Sequence, residues 1–168
     1  MRICVSGIGI VSAIGIGVEE NLASIASGKD GMGRITLFNT IHTMPFAQVK
    51  ASESELKNLL GLPAKELYTR TALLGMAAAD EALRDSGIDT TKLRVGVVSA
   101  TSTGGMDRTE NFYASYLKDH TKGRIREVLS HECSDSTEHI ARHCGINGFT
   151  TTISTACSSA ANAVILGA

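Results

Sequence analysis

Tryptophan is missing from this chain, and proline occurs only twice in 168 residues. The formal net charge is −1, so the basic footprint of a nucleic-acid-binding protein is absent. The four cysteines, at 4, 133, 144 and 157, form no Cys-x-x-Cys pair and are too sparse for a disulfide scaffold. That usage fits a reducing, cytoplasmic compartment. No stretch reaches about 18 uninterrupted apolar residues, so no membrane span is predicted. The apolar run from Ile3 to Val18 is a poor secretory signal, because glycines at 7, 9, 15 and 17 interrupt it and no Ala-x-Ala site is present. Internal repeats and low-complexity segments are also lacking. What is there, 43% hydrophobic and 20% charged residues, is the composition of about one ordinary globular domain.

The most informative stretch is the last, from Thr150 to Ala168. Its opening residues, Thr150 to Ile153, are β-branched and suit a short strand. From Ala156 onward the residues are small and helix-compatible, and Cys157 sits at the join. A strand that turns sharply into a helix exposes the side chain at the turn and leaves backbone N–H groups free around it. Those groups and the positive end of the helix dipole favour a thiolate over a thiol. They can also hold the oxyanion that forms when the thiolate attacks a carbonyl. An isolated cysteine is ordinarily a buried structural residue; the strand-turn-helix setting reverses that expectation. The helix from Ser158 to Ala168 has no charged residue and is expected to be buried on most sides.

Earlier in the chain, residues 2–11 read as a buried strand in which Gly7 and Gly9 permit close approach of another backbone. The Gly-x-Gly there is no dinucleotide fingerprint, since Ser12 fills the third glycine position. A short helix is predicted over 18–27, stopped by Gly28. Residues 29–63 read as a loop-rich excursion with one weak strand near 46–50. A long helix is predicted from Ala64 to Ser86, between Pro63 and Gly87. A buried strand follows at 94–100. Asp107–Glu110 and Asp135–Glu138 have the form of capping boxes. The first would open a helix with a buried band of Phe112, Tyr113, Tyr116 and Leu117; the second would open one ending at Gly145.

Four segments together resemble one family. Ser-Thr-Ala-Cys-Ser-Ser-Ala at 154–160 is similar to the nucleophile motif of the condensing enzymes, the β-ketoacyl-acyl-carrier-protein synthases of the synthase I/II type. Val5–Gly15 resembles their first strand and turn, Ser99–Gly105 their glycine-rich loop, and Cys144–Gly148 the turn before the nucleophile strand. The matches run end to end in the family's order.

The resemblance implies a thiolase-like layered α/β fold, of which residues 1–168 are the N-terminal half, cut within the helix after the nucleophile. It implies that Cys157 carries the acyl group, with its own backbone N–H in the oxyanion hole. It further implies decarboxylative Claisen condensation with malonyl-acyl-carrier protein, in fatty-acid or polyketide-like biosynthesis, with no cofactor and no metal. Partners would be acyl-carrier protein, a second copy of the chain meeting at residues 149–154, and the missing C-terminal half. In the family, that half supplies two histidines and a lysine. Thr109, Cys133 and Ser134 stand at acyl-pocket positions where synthase II relatives carry apolar residues, so a shorter, unsaturated or aryl-primed chain is expected. Three alternatives are an acyltransferase of the thiolase branch, a non-catalytic partner subunit, and a metal-binding module on His131, Cys133, His139, His143 and Cys144. The i,i+4 pair His139 and His143 can clamp a metal, yet the spacing matches no standard zinc motif.

Overall fold

The N-terminal segment lies so close to a helix that only glycine fits. A Cβ on Gly7 would stand 2.3 Å from the carbonyl oxygen of Ala82, and one on Gly9 would stand 1.9 Å from that of Ala78. These contacts lie within one of the two units of this computed structural model, which describes residues 2–168. Residues 5–65 and 77–87 form that unit; residues 2–4, 66–76 and 88–168 form the other.

The strand expected over residues 2–11 does not form. The N–H groups of Ile8 and Ile10, which a sheet neighbour would have taken, donate to the carboxylates of Asp85 and Glu81, each at 2.9 Å. Val5 is 83% exposed, so the segment is not buried either. Strand pairing begins only at β1 (Val11–Ser12), which pairs antiparallel with β2 (Gly15–Ile16). The second oxygen of Glu81 accepts the Val18 N–H at 2.7 Å. It thereby serves α1 (Val18–Ala26), whose N-cap is Gly17 and has no side chain to offer. Gly28, in the left-handed region at φ 71°, follows the helix as expected.

Two short strands, β3 (Met32–Gly33) and β4 (Phe46–Ala47), pair antiparallel in the loop-rich stretch. A helix not expected from the sequence, α2 (Glu53–Leu59), follows them. Its capping box is complete: Glu55 N–H donates to Ser52 Oγ at 3.3 Å, and Ser52 N–H donates to Glu55 Oε2 at 2.8 Å. Leu56 of this helix is fully buried. Next, α3 (Arg70–Ser86) starts six residues later than Pro63 suggests. Thr69 Oγ1 accepts the Ala72 N–H at 3.1 Å, which makes Thr69 the capping residue. Residues 70–76 of α3 belong to the second unit, and Ala72, Leu73 and Met76 are among its most buried side chains.

In that second unit β5 (Val97–Ala100) and β6 (Thr150–Ile153) pair in parallel, Val97 opposite Thr150 and Ala100 opposite Ile153. A parallel pair needs a long crossover. Here it consists of α4 (Met106–Lys118), α5 (Arg126–Leu129) and α6 (Cys133–His143). Both expected capping boxes are absent. Gly105 is the N-cap of α4 and Glu132 that of α6, so each helix begins before the acidic residue that was to cap it. The aromatic band of α4 is not buried: Phe112 and Tyr116 stack with centroids 5.8 Å apart, while Tyr113 and Leu117 face solvent.

The last helix, α7 (Ser159–Gly167), packs on β5 and β6. Only Ser159 and Ala163 are buried, and Val164 and Ile165 are each 73% exposed. The expectation of a helix covered on most sides therefore fails among the described residues. One face meets the strands, and no described element lies over the other. No helix of the described residues is long and apolar enough to cross a membrane.

Candidate active site

Between β6 and α7 the chain makes a single 3-10 turn, Ala156–Ser158. Ala156 has φ 50° and is the only non-glycine residue at positive φ among those described. For an L-residue with a Cβ that conformation costs about 1–2 kcal/mol, and it persists only where neighbouring groups hold it. Small polar side chains surround it. Ser158 Oγ donates to the Thr155 carbonyl at 2.8 Å, Asn162 Nδ2 donates to Thr155 Oγ1 at 2.9 Å, and the Thr155 N–H donates to Ser159 Oγ at 2.8 Å. Cys157 stands exposed in this turn, at the amino end of α7. The strand-turn-helix expected from the sequence is thus present, with a strained residue immediately before the cysteine. A sulfur here is open to attack an incoming carbonyl, and the first-turn N–H groups lie beside it.

Of the three residues expected at an acyl pocket, Thr109 and Cys133 make side-chain contacts on the way to this turn. Thr109, half-buried on α4, hydrogen-bonds through Oγ1 to His131 Nδ1 at 3.0 Å. His131 lies two residues before Cys133, the first residue of α6, whose Sγ is 3.8 Å from Ser154 Oγ. Ser154 follows β6 directly and is three residues from Cys157. Ser134 comes next on α6 and is exposed. Glycines fix the loop carrying His131. A Cβ on Gly105 would stand 1.8 Å from the Ser130 carbonyl oxygen, and the Gly105 N–H donates to the His131 carbonyl at 3.4 Å.

The histidines and cysteines of the proposed metal module are not gathered together. Among the described residues no three His, Cys, Asp or Glu side chains are placed to hold a metal. His139 instead has Nε2 3.6 Å from Asp135 Oδ2 and its ring edge-on to Tyr68, centroids 4.9 Å apart. Cys144 is buried.

Tyr68 is a buried titratable residue that sequence reasoning did not single out. Its hydroxyl donates to Glu66, and its carbonyl accepts Arg108 Nη2 at 2.7 Å. Burial, then the hydrogen bond and charge of Glu66, push its phenol up to about 12, with Arg142 pulling the other way. The local sequence does not mark Tyr68, because beyond Glu66 its partners Arg108 and His139 come from distant segments. A groove under α7, lined by Val98, Phe149, Ala163, Val164 and Leu166, holds no titratable or nucleophilic side chain.

Over residues 1–168 the chain matches the N-terminal domain of β-ketoacyl synthases, and it belongs to that family. It is 29% identical over 175 residues to a putative polyketide β-ketoacyl synthase 1 of Streptomyces halstedii, covering 97% of this chain and 41% of that one. It is 30% identical over 121 residues to 3-oxoacyl-[acyl-carrier-protein] synthase 2 of Coxiella burnetii (strain RSA 493 / Nine Mile phase I), covering 69% of this chain and 29% of that one. Among solved structures, the ishigamide ketosynthase/chain length factor superposes with a TM-score of 0.76 at 25% identity, over 90% of this chain and 39% of that one. The fold is accordingly thiolase-like, and the chain spans about two fifths of the length of the polyketide relative.

Proposed function

We propose that Cys157 is the acylated nucleophile of a 3-oxoacyl-acyl-carrier-protein synthase. The observation that carries the proposal is the exposed Cys157 on a strained turn between β6 and α7, within a ketoacyl-synthase N-terminal domain. The Cys157 sulfur attacks the carbonyl carbon of an acyl-carrier-protein thioester, and the carrier thiolate leaves with a proton. Malonyl-carrier protein then loses carbon dioxide. The resulting enolate carbon attacks the Cys157 thioester, so a carbon–carbon bond forms as the carbon–sulfur bond breaks. The Cys157 N–H is one donor to the oxyanion in both steps. The enzyme is an acyltransferase and works without a cofactor.

The family resemblance assigns the two histidines and the lysine of the decarboxylation step to a C-terminal half. Residues 1–168 are then the N-terminal part of the working domain. The uncovered apolar face of α7 supports this, since Val164, Ile165 and Leu166 need a partner layer. The working unit is a cytoplasmic homodimer joined along residues 149–154, and light scattering at micromolar concentration tests that state. A non-catalytic partner subunit is disfavoured by the retained Cys157.

The functional test is formation of a β-ketoacyl product from acyl- and malonyl-carrier protein, with and without the C-terminal half. Groups acting as one catalytic unit fail together, so product is expected only with both halves. Turnover by residues 1–168 alone would overturn the assignment and return attention to His131, His139 and His143.

A further inference from the structure

We infer that Ser159 is a positioning residue, which aims the Cys157 N–H at the reacting carbonyl oxygen; the inference rests on Cys157 being the nucleophile. Ser159 is the first residue of α7 and is only 5% exposed. Its hydroxyl binds the turn at two points. It accepts the Thr155 N–H at 2.8 Å and donates to the Ala156 carbonyl oxygen at 2.7 Å. Those groups belong to the peptide planes on either side of the Thr155–Ala156 pair, so the one hydroxyl spans the strained residue.

The second bond is the consequential one. The Ala156 carbonyl and the Cys157 N–H share a single peptide group. No cis peptide occurs among the described residues, so that group is trans and planar. Its N–H must point opposite to its C=O. Ser159 holds the Ala156 oxygen twice, through its backbone N–H and through its hydroxyl, and only the hydroxyl also ties in the Thr155 N–H on the far side of Ala156; together these bonds set the direction of the Cys157 N–H. Ala156 at φ 50° would otherwise relax toward the ordinary right-handed or extended regions, and the N–H would turn with it. Asn162 and Ser158 brace Thr155 from the other side but do not reach the Ala156 carbonyl.

This role separates two reactions of one sulfur. Alkylation by iodoacetamide is a displacement at carbon in which iodide leaves, and no oxyanion forms. Acyl transfer from an N-acetylcysteamine thioester does form one. The Cys157 sulfur bonds to the carbonyl carbon, the oxygen takes the negative charge, and collapse expels the N-acetylcysteamine thiolate, which takes up the proton that Cys157 lost. A misaimed N–H therefore slows acyl transfer and spares alkylation.

The test measures both rates at Cys157 by peptide mass mapping in the full-length protein, using acetyl-N-acetylcysteamine and iodoacetamide. Ser159→Ala is expected to lower acylation at least tenfold while alkylation stays within about threefold of the unaltered protein. Adding Ala156→Gly is expected to recover most of the loss, because glycine takes positive φ without steric cost and the turn no longer depends on the hydroxyl. Unchanged acylation in Ser159→Ala would overturn the inference. So would an equal fall in both rates, which marks a merely structural residue, or a double variant no better than the single one. Failure of the unaltered protein to acylate Cys157 at all would instead refute the proposed nucleophile, a separate result read in a separate sample.

Discussion

Thr109 Oγ1 and His131 Nδ1 are 3.0 Å apart, a hydrogen bond between α4 and the loop that leads into α6. Under the proposed function this polar pair lines the acyl pocket, with Cys133 beside it. A hydroxyl and an imidazole are poor neighbours for a saturated chain, which offers no partner to the donors and acceptors their mutual bond leaves over. Thr109→Ile is expected to shift the ratio of kcat/KM values toward saturated acyl donors and away from unsaturated or oxygenated ones by about 10-fold. Competition between a saturated and a polyunsaturated acyl-carrier-protein donor measures the ratio; an unchanged ratio would remove Thr109 from the pocket.

Tyr68 gives the fold an alkaline limit. Its phenol, pushed up to about 12 by burial and by Glu66, sits above the value of about 10 in an unfolded chain. The folded state therefore binds this proton more tightly. The associated stability is fully present below pH 10 and is lost as pH rises toward 12. Tyr68→Phe is expected to flatten the dependence of denaturation midpoint on pH between 10 and 12, and a dependence as steep as before would place its origin elsewhere.

Gly9→Ala tests the close approach of the N-terminal segment to α3. The new methyl group would sit 1.9 Å from the Ala78 carbonyl oxygen, which is backbone and cannot swing aside. A loss of about 1–3 kcal/mol in urea unfolding is expected, the range for overpacking a tight contact. A variant as stable as the parent would show that this contact does not exist in solution.

What the sequence made legible, and what it hid, divides along local and non-local lines. The β6–Cys157–α7 turn could be read because β-branched residues, small residues and the cysteine are adjacent in the chain. The ends of α1, α3 and α6 could be read from Gly28, Gly87 and Gly145, all at positive φ. The Ser52–Glu55 box was equally local and was available to be read. The N-terminal segment was misread because the partners of its N–H groups, Glu81 and Asp85, lie more than 70 residues away. Asp107 and Asp135 mimic caps, yet Gly105 and Glu132 are the N-caps, so each helix starts earlier. Ala156 has no glycine or asparagine to advertise its left-handed backbone. The Ser159 hydroxyl and N–H, brought round by the first turn of α7, show how it is held.

The central claim is that the acyl group resides on Cys157. The direct measurement incubates the full-length protein with an acyl-carrier-protein thioester, quenches in acid and maps acylated peptides by mass. Cys4 serves as an internal control, since it is exposed as Cys157 is but lies at no helix terminus. The account predicts the adduct on the peptide containing Cys157 and none on Cys4, Cys133 or Cys144. An adduct spread over the four cysteines, or one on another residue while Cys157 stays free, would contradict it.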